Sequence, residues 1–218
     1  MSHRIDTEAD LAIGTTALMA ADPRLASLLE RTGPLPLRRR ADGFAGLASI
    51  IVSQQLSTAS ASAIWGRLSA AFDPLDHDAI RRARTARLQR IGLSAAKIRA
   101  LKAVAKAVRD GGLDFTALAS MPADDAHNVL TAVHGIGPWT ADIYLLFCLG
   151  HPDAWPAGDL ALQEAARIAF ALATRPTAKD MLPLAEPWRP WRGVAARLLW
   201  AYYRATKGRD AAPVQPAA

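Results

Sequence analysis

The sequence predicts an all-α protein. Ala, Leu and Arg dominate it, and all three are good helix formers. No stretch alternates apolar and polar residues with the period of two that marks a half-buried strand. Gly- and Pro-containing stop signals cut the chain into many short segments whose apolar residues recur at helical spacing.

Taken in order, the spacing predicts helices over 7–20 and 23–31, ended by "TGPLP" at 32–36. Helices over 42–53 and 57–71 follow, the second stopped at Asp73-Pro74. Segments 76–82, 84–90 and 94–110 are separated by short breaks, with Ile91-Gly92 and "DGG" at 110–112 as the clearest. Helices over 122–132 and 138–149 flank a Gly-Ile-Gly-Pro corner. The loop "HPDAWPAG" at 151–158 precedes the last three, at 159–173, 177–184 and 190–206. No repeat of solenoid length occurs, so many short helices in two lobes is the expected architecture.

A chain of 218 residues can bury a sizeable core. Hydrophobic residues make up 51% and charged residues 21%, an ordinary balance for a globular protein. The net charge of +6 points toward an anionic partner. One cysteine, Cys148 in the apolar run "IYLLFCLG", excludes an intramolecular disulfide, a four-cysteine zinc site and an iron–sulfur cluster. The five histidines show no metal-ligand spacing. No apolar leader and no run of 18 apolar residues is present, so the expectation is a soluble, intracellular protein without membrane contact. Residues 207–218 (KGRDAAPVQPAA) are expected to form a flexible tail.

The corner Gly135-Ile136-Gly137-Pro138 has two compatible readings. Gly135 can end one helix in the left-handed conformation and Pro138 can start the next, which accounts for every residue. The same geometry offers the amides of Gly137, Trp139 and Thr140 at a helix N-terminus, where a phosphate can bind. Downstream, the loop at 151–158 delivers Asp159 to the start of a helix. Aspartate is a preferred N-cap, and negative charge is stabilised beside helix N-terminal amides. A carboxylate held this way suits stabilising a nearby positive charge or orienting water. Glu164 reads as a helix-face residue and Asp142 as a structural residue facing the loop.

"LTAVHGIGPWTADIYLL" followed by "WPAGDLALQEA" resembles the helix-hairpin-helix DNA glycosylases, with their Gly/Pro-rich loop and essential aspartate. "ASIIVSQQLSTASASAIWGRL" at 48–68 and "AEPWRPWRGVAARLLWAYY" at 185–203 narrow the likeness to the alkylpurine branch, DNA-3-methyladenine glycosylase II, in a compact form. The likeness covers roughly residues 40–206. It implies a single unit over 1–218, with a central lobe at 42–140 carrying the hairpin. Residues 1–41 plus 141–206 would form the second lobe, with an active-site cleft between the two.

The resemblance implies a monomeric, monofunctional enzyme acting on double-stranded DNA that contains alkylated bases. It would hydrolyse the N-glycosidic bond of 3-methyladenine or 7-methylguanine in base excision repair, in the nucleoid if bacterial and the nucleus if eukaryotic. Relatives that also cut the strand carry a nucleophilic lysine two residues after the second hairpin glycine, and here that residue is Trp139. Without an amine no Schiff base forms, so no lyase activity is expected. Asp159 takes the catalytic position, and Trp139, Trp200 and Tyr144 are the expected walls of the base pocket. Tyr144 lies one residue from the aligned position, which Ile143 occupies. Core packing is the alternative role for each of these aromatics.

DNA contacts are expected from Gln54, Gln55, Gly135, Gly137 and Thr140, with Gln55 as the wedge that fills the gap left by a flipped nucleotide. The likeness further implies no catalytic cofactor. It also implies a structural Na+ or K+ at the hairpin, held by the backbone carbonyls of Thr131, Val133 and Ile136. The basic runs "LRRR" at 37–40 and "RRARTARLQR" at 81–90 are solvated helix faces or phosphate contacts. Two other functions fit the same residues: a non-catalytic DNA-structure binder, and a glycosylase for deaminated or mismatched bases.

Overall fold

The computed structural model describes residues 4–208. Among them are thirteen α-helices and no strand, in agreement with the all-α expectation. No described helix is long and apolar enough to cross a membrane. The chain divides into two compact units, one of residues 40–144 and one joining 4–39 to 145–208.

In the unit of residues 40–144, α3 (Gly43–Ser53) is the central element. Phe44, Leu47, Ile50, Ile51 and Val52 are all buried, so this helix is apolar around most of its girth. Around it lie α4 (Thr58–Ala71), α5 (His77–Arg82), α6 (Thr85–Ile91) and α7 (Ala95–Arg109). On α7, Ile98, Leu101, Val104 and Ala105 recur at three- and four-residue spacing and are buried, while Lys106 and Arg109 remain in water. Capping side chains start these helices: Ser57 for α4, Asp76 for α5 and Ser94 for α7. Next come α8 (Phe115–Leu118), α9 (Ala123–Thr131) and α10 (Pro138–Ile143), the last two being the arms of the hairpin.

In the other unit α1 (Glu8–Ala21) and α2 (Ala26–Thr32) pack with α11 (Leu160–Ala169), α12 (Ala178–Ala185) and α13 (Arg192–Lys207). The first nine residues of α13 are all buried, which makes it the axis of this unit. Gly14 lets α1 approach it closely, since a Cβ there would lie 2.7 Å from the Trp191 ring. Reciprocal capping boxes, Thr7 with Asp10 and Thr177 with Asp180, fix the starts of α1 and α12.

Several element boundaries differ from the sequence expectation. The single turn α8 was not expected; Asp114 caps it by accepting from the amides of Thr116 and Ala117. The helix expected over 138–149 is α-helical only to Ile143 and continues as a π-helical turn over Tyr144–Cys148. The helix expected over 159–173 ends at Ala169, and Ala171 turns the chain with φ +50°. The helix expected over 23–31 opens with a 3₁₀ turn, Pro23–Leu25. Of the tail expected over 207–218, Lys207 closes α13 and Gly208 caps it at φ +66°. The remainder of that tail lies outside the described residues.

Candidate active site

Asp159 is the N-cap of α11 and is 8% exposed. Its Oδ1 accepts two hydrogen bonds, from the amide of Leu162 at 2.9 Å and from Trp200 Nε1 at 3.1 Å. Its own amide donates to Pro156 O at 2.9 Å, which fixes the turn entering the helix. Gln163, one turn along, donates to Ala157 O at 2.9 Å and ties the helix back to the same loop. The carboxylate is thereby held by local turn geometry on one side and by α13 on the other.

The loop that delivers Asp159 is anchored by a buried ion pair. Asp153 accepts from Arg192 Nε and Nη2, both at 2.8 Å, and from Arg189 Nη1 at 2.7 Å. The Gly193 amide donates to Pro152 O at 2.7 Å, and a Cβ on Gly193 would lie 2.7 Å from that oxygen. The Pro-Trp-Arg-Gly block therefore works as the seat of the aspartate loop. Sequence reading singled out the block but assigned no role to Asp153, Arg192 or Gly193. The nearest signal was the pairing of one acidic loop with one basic helix start.

Two of the expected pocket aromatics are fully buried. Trp200 is 1% exposed, stacks on Phe147 at 5.8 Å and donates its indole N–H to Asp159, so its ring is fixed beside the carboxylate. Tyr144 is wholly buried; its ring meets Phe115 at 5.7 Å and its hydroxyl accepts from the Gly43 amide at 3.0 Å. Core contacts occupy it. Trp139 is half-buried in the first turn of α10.

At the hairpin the two glycines differ. Gly135 has φ +89°, and a Cβ there would lie 2.5 Å from the Ala100 Cβ, so both conformation and packing require glycine. Gly137 has the ordinary φ of −84°, and a Cβ there would meet nothing within 4 Å. Nothing in the protein's own packing requires glycine at 137. Pro138 then opens α10 at a position where no side chain caps the helix. Across the hairpin, His127 is half-buried, its ring 3.9 Å from Asp142, itself 8% exposed. Burial lowers the His127 pKa, opposed by the charge of Asp124 and a hydrogen bond to the Pro138 backbone.

Gln54 and Thr140, both expected to touch DNA, are brought together. Gln54 Nε2 donates to Thr140 Oγ1 at 2.6 Å, and Thr140 is 2% exposed. Their side chains thus tie the 54–57 turn to the start of α10. Gln55 is exposed, with φ +56°, a left-handed backbone that is uncommon for a non-glycine residue. Leu56 beside it is 38% exposed. Glu164 is paired with Arg167 at 2.9 Å and with Lys207 at 3.7 Å, so it is committed to its helix face. Among the described residues no group of three or more His, Cys, Asp or Glu could hold a metal ion.

Comparison with known proteins identifies the family. The family model described as "HhH-GPD superfamily base excision DNA repair protein" matches residues 48–190. A "probable bifunctional transcriptional activator/DNA repair enzyme AlkA" of Mycobacterium tuberculosis is 30% identical over 206 residues, covering 90% of this chain. The match covers only 40% of that relative's own length. The crystal structure of a DNA-3-methyladenine glycosidase from Bacillus halodurans superposes with a TM-score of 0.81 at 31% identity, covering 90% of this chain and 91% of that one. The 3-methyladenine DNA glycosylase Mag1 of Schizosaccharomyces pombe, in complex with abasic DNA, gives 0.74 at 26% identity, covering 86% and 97%.

Proposed function

Because the chain belongs to the HhH-GPD superfamily of base excision DNA repair proteins, we propose that it is a monofunctional DNA glycosylase for alkylated purines. The observation that carries this reading is Asp159, a buried carboxylate held at a helix N-terminus by Leu162 N and Trp200 Nε1. A purine alkylated at N3 or N7 is cationic and leaves as a neutral base without a dedicated general acid. As the bond to C1′ breaks, the sugar acquires oxocarbenium character. The Asp159 carboxylate stabilises that charge and orients the water whose oxygen bonds to C1′, its proton passing to the carboxylate or to solvent. One carboxylate suffices, unlike the paired acids of ordinary glycosidases.

Trp139 supplies an indole where lyase relatives carry an amine, so hydrolysis without strand cleavage follows. We assign it to the wall of the base pocket, where stacking and cation–π attraction favour a cationic base. The bare Gly137 gives a DNA phosphate close access to the uncapped first turn of α10. Gln55, at the exposed tip of the 54–57 turn, fills the space vacated by the flipped nucleotide. We assign the structural Na+ or K+ to the hairpin turn, on the carbonyls of Thr131, Val133 and Ile136, neutral oxygens being the ligand type a hard cation takes. When bound there, Na+ or K+ would add positive charge beside the phosphate. The reading includes a monomer working on chromosomal DNA, and the relative bound to abasic DNA supports that partner.

The test is release of 3-methyladenine and 7-methylguanine from a methylated duplex. Wild type should release both, and Asp159→Asn should release neither while keeping its duplex affinity within a few-fold. Equal release by the variant overturns the assignment. A panel that includes deaminated and mismatched bases identifies a different lesion class, and binding without release from any of them identifies a structure binder.

A further inference from the structure

Beside the hairpin, the unit of residues 40–144 carries a cleft of about 420 Å³ lined by Thr85, Ala95, Ile98, Arg99, Lys102 and His134. Its place relative to the hairpin is fixed by a close contact between α7 and the corner. A Cβ on Gly135 would lie 2.5 Å from the Ala100 Cβ and 2.9 Å from its Cα. Arg99 and His134 are the residues immediately before that pair, so an α7 cation and a hairpin imidazole share one groove. Lys102 follows Arg99 by one helical turn on the same face. Its Nζ donates to Ala83 O at 2.8 Å, which holds the ammonium in place and leaves it further N–H donors.

The charge of this cleft is one-sided. No carboxylate lines it. Arg99 and His134 are exposed, and neither has an ion-pair or hydrogen-bond partner among the described residues. By contrast, Arg81 and Arg82 on α5 are paired with Asp78, and Lys106 and Arg109, at the far end of α7, with Asp110. Ala95 and Ile98 add apolar surface between the cations. A nucleic-acid strand offers the matching combination, an apolar sugar face beside an anionic phosphate. We propose that the cleft seats a second backbone phosphate of the DNA strand gripped at the hairpin. Arg99 and Lys102 are its cations and His134 a further N–H donor. This rests on the reading of Gly137 and the first turn of α10 as the first phosphate grip, and extends it to a neighbouring subsite on α7.

Duplex binding by the full chain, read by fluorescence anisotropy across a salt series, tests this independently of base release. Arg99→Gln and Lys102→Gln should each weaken binding about fivefold near ~0.1 M salt and lower the slope of log K against log salt by about one. The amide in Lys102→Gln still donates to Ala83 O, so the loss reports charge. Arg109→Gln removes the same charge from the far end of α7 and should change affinity less than about twofold. Neutral methylphosphonates placed singly along the strand then locate the contact. Arg99→Gln should be indifferent at one position that weakens wild type, and as sensitive as wild type at the position where Gly137→Ala is indifferent. Equal losses from Arg99→Gln and Arg109→Gln, or equal sensitivity of Arg99→Gln and wild type at every position, overturn the cleft. Failure of the glycosylase reading shows separately, as absent base release from a duplex that the chain still binds. An indifferent position for Arg99→Gln with none for Gly137→Ala keeps the cleft and removes the hairpin grip.

Discussion

Trp200 Nε1 donates to Asp159 Oδ1 from 3.1 Å, and both groups are buried. The indole N–H is thus a fixed donor to the proposed catalytic carboxylate, and the ring itself is clamped on Phe147. Trp200→Phe keeps the apolar ring and removes the donor. Loss of one charge-assisted hydrogen bond should lower single-turnover base release about tenfold, equivalent to about 1.4 kcal/mol. Duplex affinity should change little. A variant with wild-type release rate would show that the indole donor does not set the reactivity of the carboxylate.

The anchor of the aspartate loop makes a contrast between two arginines. Arg192 is 5% exposed against Asp153 at 8%, whereas the Arg189 side chain is 37% exposed. Asp153→Asn leaves Arg192 buried without a counter-charge and should cost about 3 kcal/mol, a fall of about 10 °C in Tm. Arg189→Ala removes a partner that water can replace and should cost under about 1 kcal/mol. Thermal denaturation of the two variants beside wild type measures the contrast, and equal losses would contradict it.

Stability and DNA affinity should separate at the two hairpin glycines. Gly135→Ala meets both a positive φ and the Ala100 methyl, so it should destabilise the chain by about 2 kcal/mol or more. Gly137→Ala meets no protein atom within 4 Å and should leave stability within about 0.5 kcal/mol of wild type. Yet its methyl would stand where a phosphate is proposed to approach, so duplex affinity should fall about tenfold. Urea denaturation and fluorescence anisotropy on both variants check this. A Gly137→Ala protein that binds duplex as wild type does would place the phosphate elsewhere.

What the sequence made legible was local. The stop signals separated most helices, and Asp159 could be read as an N-cap because capping involves only the next three residues. The partners that complete the site are distant in the chain: Trp200 lies 41 residues from Asp159, and Thr140 lies 86 from Gln54. No periodicity reports such pairs. Tyr144 lies among core contacts for a geometric reason. One residue of offset rotates a helical side chain by about 100°, and the chain there also changes from α- to π-helical winding. The different demands on Gly135 and Gly137 were equally invisible, since both read simply as turn residues until Ala100 was seen against one of them.

His127 gives the hairpin a dependence on pH whose sign follows from its burial. Burial lowers its folded pKa below the ordinary value of 6.5, and the Asp124 charge and the Pro138 backbone bond offset that only in part. Near and below pH 6.5 the unfolded chain therefore binds more protons than the folded one, so stability falls as pH drops through this window. Above it the imidazole is neutral in both states and contributes no slope. Asp22 acts in a separate range: the Arg24 guanidinium holds its carboxyl at about 2, so its share is lost only as pH falls from about 3.8 toward that value. Urea denaturation at pH 7.5, above the histidine window, and at pH 5.5, within it and well above the Asp22 range, isolates this effect. Wild type should be less stable at the lower pH, and His127→Gln, which cannot take up a proton, should lose most of that difference. If the variant keeps the full pH dependence, the titrating group is not His127.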